Sequence, residues 1–310
     1  MASLSGEGDG ATRESQARKT FVAFGAQCEA RTLEPGLHIV ATTIGNLGDV
    51  TIRALETLAA ADAILAEDTR ITHRLLDRYA ITTPLVAYHE HNAAEARPKI
   101  LRRLQRGDAL ALVSDAGTPL ISDPGYKLVV EATAAGHTIR TLPGANAAIA
   151  ALTLAALPTD RFLFEGFLPQ KSAARRERLN AIAGTPATLV FYEGPSRLAE
   201  ALVDMALELG PRPAVVAREL TKLHEEVRRG DLGALAEFYR SAEAPRGEIV
   251  VVVGPPIPVE KPKTEDLERE LRESLKALSV KDAAAAIAAR HNLPRREIYA
   301  LALGLAGQRR

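Results

Sequence analysis

The sequence predicts an α/β protein: two α/β domains, the first built on a parallel five-stranded sheet and the second on a mixed sheet, followed by a small helical domain. Two observations carry this. From residue 36 to residue 253, apolar runs of strand length alternate with amphipathic runs of helix length, the pattern of strands joined through helices. After the proline-rich stretch Gly254-Pro255-Pro256-Ile257-Pro258, only helical signals remain. A chain of 310 residues is long enough for two cores and a small addition.

In order, the first-half strands are expected at Leu37–Thr42, Ala63–Ala66, Leu85–Tyr88, Ala109–Val113 and Thr138–Leu142, with helices Thr51–Ala60, Thr69–Tyr79, Ala94–Gln105 and Tyr126–Ala135 between them. That alternation implies a parallel sheet covered on both faces. A further helix, Ala145–Ala156, leads to the hinge Leu157-Pro158-Thr159-Asp160. The pattern resumes with strands Arg161–Gly166, Thr188–Tyr192, Ala214–Arg218 and Glu248–Val253, separated by helices Ala173–Ile182, Arg197–Leu209 and Leu232–Tyr239. Glu225–Gly230 is a shorter, more polar strand, which makes the second sheet mixed. The terminal helices are Glu265–Leu278, Lys281–Arg290 and Pro294–Leu305. The domains so delimited are residues 36–148 and 149–254, a stiff linker at 255–263 and a helical domain at 264–310. Residues 1–35 are mostly polar, of mixed charge and without the apolar core of a signal peptide, so they read as a disordered N-terminal extension.

At 46% hydrophobic and 25% charged residues, the composition is that of an ordinary soluble globular protein. Lysine plus arginine equals aspartate plus glutamate at 39 each, so any basic footprint for a polyanion must be local. The single cysteine, Cys28, excludes an internal disulfide and a thiolate metal cluster, and fits a reducing cytosol. No apolar run approaches the roughly 20 residues that span a bilayer. The expectation is a cytoplasmic protein with no membrane partner and no metal.

The densest constellation runs from Leu112 to Gly125. It places Asp115 and Asp123, three hydroxyls, two glycines and two prolines directly after an apolar strand. In open α/β sheets ligands bind beyond the carboxyl ends of the strands. Both carboxylates are therefore expected where a positively charged ligand can be held, although a β-to-α turn needs the same residue types. Gly45-Asn46-Leu47-Gly48-Asp49 lacks the three-glycine spacing of a dinucleotide fingerprint and the lysine of a phosphate-cradling loop, so it reads as a tight turn. Glu67-Asp68-Thr69-Arg70 closes the second strand and also suits a helix N-cap. His89 and His91 flank Glu90 with no third histidine or cysteine nearby, which fits polar substrate contacts better than a metal. At Pro143-Gly144-Ala145-Asn146, backbone N–H groups face the same crevice, for a ligand or for capping.

Two basic segments follow strands in the second half. Lys171, Arg175, Arg176 and Arg178 occupy one stretch of eight residues; Arg218 and Lys222 flank Glu219-Leu220-Thr221. Solvated surfaces explain such residues by default, but at strand ends they also suit RNA phosphates. Aromatic residues are scarce and tryptophan is absent, which argues against a broad base-stacking platform. The last helices resemble a helix-turn-helix: Ser279 can cap one helix, Pro294 opens the next, and Arg290, Arg295 and Arg296 lie near the turn. A helical pair packed on its own protein is the plainer alternative.

Taken together, Val40–Asp49, Ala66–Arg70, the Ser114–Gly125 loop, Leu142-Pro143-Gly144, Glu165–Pro169, Phe191-Tyr192-Glu193, Ala217–Lys222 and Gly247-Glu248 resemble, in this order, the small-subunit ribosomal RNA methyltransferase I family. That family is a branch of the tetrapyrrole methylase-like (class III) methyltransferases. The resemblance covers residues 36–254, with a weaker echo in the terminal helices. It implies a homodimer that binds S-adenosylmethionine in a cleft between the two α/β domains and 2′-O-methylates a decoding-region cytidine, cytidine 1402, of 16S rRNA. Mapped onto this chain, the cofactor touches Asp115, Ala116, Gly117, Thr118, Ile121, Ser122, Pro143 and Gly144, with Phe167, Leu168, Ala217 and Glu248 closing over it. Asp68, Glu67, His89 and Glu193 are candidates to accept the hydroxyl proton, and Arg70 to orient a carboxylate or ribose-phosphate. Lys171, Arg175, Arg176, Arg178, Arg218 and Lys222 are candidates for RNA contact.

Two positions depart from the family pattern: Thr43 stands where proline is usual, and Ala145-Asn146 where proline-serine is usual. Asn146 keeps the capping oxygen. Two other readings remain. One is a small-molecule methyltransferase acting on a tetrapyrrole-like substrate, which needs an aromatic-lined cleft. The other is a non-catalytic RNA-binding or ribosome-assembly factor, which would show no stabilisation by S-adenosylmethionine.

Overall fold

The computed structural model describes residues 19–257, 264–291 and 293–307. Residues up to Pro256 form one unit, and the chain from Ile257 onward forms a second.

In the first unit a hairpin, β1 (Thr20–Ala23) and β2 (Ala26–Glu29), precedes the parallel sheet of β3 (Gly36–Val40), β4 (Ala63–Ala66), β5 (Leu85–Ala87), β6 (Ala109–Leu112) and β7 (Ile139–Leu142). The sheet order is β5-β4-β6-β3-β7, every pair parallel. Every residue of β3, β4 and β6 is buried, which is why these strands read as continuous apolar runs rather than alternating ones. Val40, Ile64 and Ala111 pack on one side with α1 (Ile52–Ala60) and α2 (Thr69–Arg78). Leu37, Leu65 and Leu110 pack on the other with α3 (Ala93–Gln105) and α4 (Tyr126–Ala134).

Helix α5 (Ala147–Ala155) leads into a mixed sheet of β8 (Phe162–Phe167), β9 (Thr188–Glu193), β10 (Pro213–Arg218), β11 (Glu226–Asp231) and β12 (Ile249–Val253), ordered β11-β10-β12-β9-β8. Only β8 and β9 are parallel. The period of two explains both layers over this sheet. Ile249, Val251 and Val253 face the helices α6 (Ser172–Ile182), α7 (Leu198–Leu209) and α8 (Leu232–Ser241), while Val250 and Val252 face α5. Asn146 caps α5, its Oδ1 accepting from the Ile149 N–H at 3.2 Å.

The expected disorder of residues 1–35 is corrected where the chain is described. Phe21 and Ala23 alternate with less buried neighbours, and Phe21 packs with Leu55 and Leu58 of α1. Phe24 and Gly25, with φ of 53° and 76°, make a two-residue turn of the primed type that suits the twist of a hairpin. Because Phe-Gly is not one of the usual turn pairs, the sequence carries little signal for it. The expected disorder of residues 1–18, and most of the expected linker at residues 258–263, lie outside the described residues.

In the second unit α9 (Thr264–Ser274), α10 (Val280–His291) and α11 (Arg295–Gly307) close over Leu271, Ile287, Ile298 and Ala302. Ser279 Oγ accepts from the Asp282 N–H at 3.2 Å, and Glu270 meets both Arg290 and His291 at 3.0 Å. Among the described residues no helix is long and apolar enough to cross a membrane.

Replacing Phe21 with alanine is expected to lower the denaturation midpoint, with a loss of about 3 kcal/mol for an emptied aromatic site. An unchanged midpoint would mean that the hairpin contributes nothing to the core.

Candidate active site

The parallel sheet delivers the loops after β3, β4, β6 and β7 to its carboxyl end. The loop after β6 is sewn to its neighbours by hydrogen bonds. The Thr42 N–H donates to the Gly117 carbonyl at 2.8 Å, the Gly117 N–H to the Thr43 carbonyl at 3.1 Å, and Thr118 Oγ1 to the Ala145 carbonyl at 3.0 Å. Gly117, at φ +79°, is required: a Cβ there would lie 3.1 Å from Ile44 Cγ2 and 3.3 Å from the Ala145 carbonyl oxygen. Further along, Leu120 and Ser122 hold φ of 74° and 64°, strained values for residues with side chains. Ser122 abuts β8 at Gly166, whose φ of +65° coincides with a register shift; a Cβ on Gly166 would sit 3.0 Å from Ser122 Oγ. One glycine thus lets the second sheet approach a loop of the first.

Between them lies a cleft of about 440 Å³. Glu67, Asp115 and Asp123 line one part of its wall; Ile44, Ala217, Leu220 and Val250 make an apolar part. Ala217 and Val250 are register partners on the face of the second sheet that also carries α5 and Tyr192. Tyr192 packs edge-on against Phe164 at 4.9 Å and Phe167 at 5.6 Å, and Phe167 is 57% exposed.

The electrostatics are lopsided. Burial, reinforced by the nearby Asp115, Asp123 and Asp68, raises the Glu67 carboxyl to about 6. Burial likewise raises Asp123 to about 6, against a hydrogen bond from Ser114 and with Asp115 adding to the rise. Asp115 Oδ1 accepts the Asp68 backbone N–H at 2.8 Å. Among the described residues no cation forms an ion pair with any of these three carboxylates, because the adjacent cations are already engaged. Arg70 holds Asp68 at 2.6 Å and pulls its carboxyl to about 2, while Lys222, packed against Gly45, holds Glu219 at 2.7 Å and Glu248 at 3.2 Å. A cationic, phosphate-free ligand matches this wall.

Of the cofactor candidates, Asp115, Ala116, Gly117, Thr118, Ile121, Ser122, Phe167, Ala217 and Glu248 line the cleft. Pro143, Gly144 and Leu168 do not. Gly144 is pressed against Ala41, and Leu168 is buried in the core under α6 and α7. Of the reaction candidates, Glu67 lines the cleft with a carboxylate that accepts no hydrogen bond among the described residues. Asp68 instead caps α2 and pairs with Arg70. His89 is off the wall, its N–H bonded to Asn92 Oδ1 at 2.9 Å. Glu193 reaches the wall, but its side chain is 1% exposed, with Oε1 held by Arg197 at 2.6 Å and by the Gly194 N–H at 2.7 Å.

Most of the expected RNA cations are paired with carboxylates of the protein itself. Arg175 is buried, its guanidinium on Asp204 at 2.7 Å and its Nη1 donating to the Gln170 carbonyl at 3.1 Å, so it organises the turn before α6. Arg176 meets Glu208 at 2.6 Å, Arg178 meets Glu165 at 2.7 Å, and Arg218 meets Glu226 at 3.0 Å. Only Lys171 of that set is exposed without a carboxylate partner among the described residues. Lining residues that the sequence left out of the site include Ile44, Tyr192, Leu220 and Val250. Asp123 was visible as the second acid of its loop, whereas Tyr192 and Leu220 needed knowledge of which strand face meets the cleft.

Because Glu67 and Asp123 titrate near 6 when folded, the folded chain retains protons that the unfolded chain releases. Their contribution to stability therefore falls as pH rises from about 4 to about 6 and stays low above that. Glu67→Gln is expected to stabilise the ligand-free protein at pH 7 by on the order of 1 kcal/mol, discounted for solvent contact, and to do little at pH 4. Urea unfolding at both pH values measures this; equal effects at the two would contradict it.

Residues 36–236 match the family model of tetrapyrrole (corrin/porphyrin) methylases, and residues 261–306 match that of the RsmI C-terminal HTH domain. A protein of Mesorhizobium japonicum named ribosomal RNA small subunit methyltransferase I is 58% identical over 73% of this chain and 77% of its own length. A protein of the same name from Synechocystis is 45% identical over 87% of this chain and 98% of its own. Among solved structures, the uroporphyrin-III C-methyltransferase of Thermus thermophilus complexed with S-adenyl homocysteine superposes with a TM-score of 0.51 at 20% identity, covering 70% of this chain and 96% of that one. Fold and sequence agree: the chain belongs to the tetrapyrrole (corrin/porphyrin) methylase family, in the group of ribosomal RNA small subunit methyltransferase I.

Proposed function

We propose that this chain is a methyltransferase of small-subunit ribosomal RNA that uses S-adenosylmethionine, and that its target is the ribose 2′-oxygen of cytidine 1402 in 16S rRNA. The observation that carries this reading is the cleft wall of Glu67, Asp115 and Asp123, which pairs with no cation among the described residues and faces an apolar wall. The curated relatives are named for methyl transfer to small-subunit rRNA, which supports the substrate class.

The donor set fits S-adenosylmethionine. Its ammonium and sulfonium would meet the acid wall, Ile44, Ala217, Leu220 and Val250 would cover its apolar surface, and no phosphate has to be held. When bound, it supplies a methyl carbon already activated by its sulfonium. The residues of this chain contribute alignment and proton removal. Alignment in a closed cleft is worth on the order of 7–11 kcal/mol when reacting atoms are held in near-attack geometry. Glu67 is the group suited to take the hydroxyl proton: it lines the cleft, is free of hydrogen-bond partners among the described residues, and is ionised at neutral pH yet more basic than an ordinary glutamate. Arg70 keeps Asp68 from that role by holding its carboxylate. The proposal includes two copies per molecule and action on ribosomal RNA in the cytoplasm.

Two measurements test it. A target ribose lacking the 2′-hydroxyl is expected to accept no methyl group, and undiminished transfer to it would rule out ribose methylation. With the natural target, kcat/KM is expected to rise with an apparent pKa near 6, and Glu67→Gln to lose about 10²–10⁴-fold together with that pH limb. A Glu67→Gln enzyme with an unchanged pH profile would remove Glu67 from proton transfer.

A further inference from the structure

The outer face of α2 carries a feature that the cleft does not use. Arg70, Arg74 and Arg78 recur every fourth residue and are all exposed, so their guanidinium groups form a row along the helix, rising about 6 Å per step. Like charges four residues apart weaken a helix. Six arginines of the second α/β layer, Arg175, Arg176, Arg178, Arg197, Arg218 and Arg228, each meet a carboxylate. Arg74 and Arg78 meet none among the described residues. The acid beside them, Asp77, is taken by His73 at 2.9 Å, and Arg70 is anchored on Asp68 at the head of the helix. The row begins at the site, because Asp68 caps α2 and donates its backbone N–H to Asp115 on the cleft wall.

We infer that Arg74 and Arg78, the two members of the row without a carboxylate partner among the described residues, are the track on which α2 holds the phosphate backbone of the substrate RNA beside the cleft. The inference rests on the proposed RNA methylation. Its chemistry is that of guanidinium on phosphate: planar, permanently charged groups that bind phosphate oxygens in pairs and release counterions as they do so. In a chain with equal numbers of acidic and basic residues, attraction to RNA must come from a local excess of this kind. It adds a first-domain contact to the second-domain cations, whose arginines also hold carboxylates of the protein itself.

A second row without carboxylate partners supplies the control. Arg102 and Arg106 lie at the carboxyl end of α3, just before the turn into β6, and so at the end of the sheet opposite the cleft. There they complement the helix dipole, a structural reason for their presence. The full chain, the double variant Arg74→Ala/Arg78→Ala and the double variant Arg102→Ala/Arg106→Ala would be compared for binding to small-subunit rRNA across a salt series. S-adenosylmethionine binding and methyl transfer would be followed in parallel. For the α2 variant, the slope of log affinity against log salt is expected to fall by about 1.4, or about 0.7 for each single-strand phosphate contact. KM for RNA is expected to rise at least about tenfold, with kcat and donor affinity unchanged; the α3 variant should match the parent. An unchanged slope in the α2 variant, or an equal fall in both variants, would overturn the track. A parent chain that binds the donor but never methylates RNA would instead overturn the functional reading beneath it.

Discussion

Three carboxylates kept close together without a neutralising cation are the constraint on which the rest of the structure turns. Glu67 comes from the end of β4, Asp115 and Asp123 from the loop after β6; the two aspartates raise the cost of ionising Glu67, and Asp115 raises that of Asp123. A fold selected for stability alone would place an arginine among them, and this chain has many arginines. It sets them instead against Asp68, Asp204, Glu208 and Glu226. The wall stays negative, the ligand-free protein carries the strain, and a cationic ligand would relieve it.

The backbone makes that arrangement possible at a few points. Gly117 lets the acidic loop pair with the loop after β3, and Gly166 lets β8 press against Ser122 so that the second sheet closes the cleft. The strained φ values of Leu120 and Ser122 sit on the same loop, while Glu219 and Thr221, at 51° and 67°, sit on the segment that brings Leu220 to the opposite wall. Both sides of the cleft therefore hold conformations that must be stabilised by the packing around them. That packing is the apolar layer between α5 and the inner face of the second sheet, which ties the two sheets into one unit.

Much of this was legible in the sequence. The alternation of apolar runs with amphipathic segments placed the strands of both sheets, because strands buried on both faces cannot hide their composition. The acidic loop after β6 was legible for the same reason, since two prolines, two glycines and two aspartates have few uses other than a shaped turn at a strand end. Long-range pairing was not legible. Arg175 reads as a surface cation until Asp204, 29 residues away, is brought against it on α7. The hairpin at residues 20–29 was not legible because its two strands are only four residues long and its Phe24-Gly25 turn is not one of the usual hairpin pairs. Arg74 and Arg78 gained meaning only by comparison with partners that other arginines found in three dimensions.

Whether the acid wall ionises around a cation decides everything else. Calorimetric titration with S-adenosylmethionine at pH 6, in two buffers of different ionisation enthalpy, counts the protons exchanged on binding. With Glu67 and Asp123 both titrating near 6, binding should release up to about one proton at that pH, and almost none at pH 8. Binding at pH 6 with no proton release, or with uptake, would contradict it.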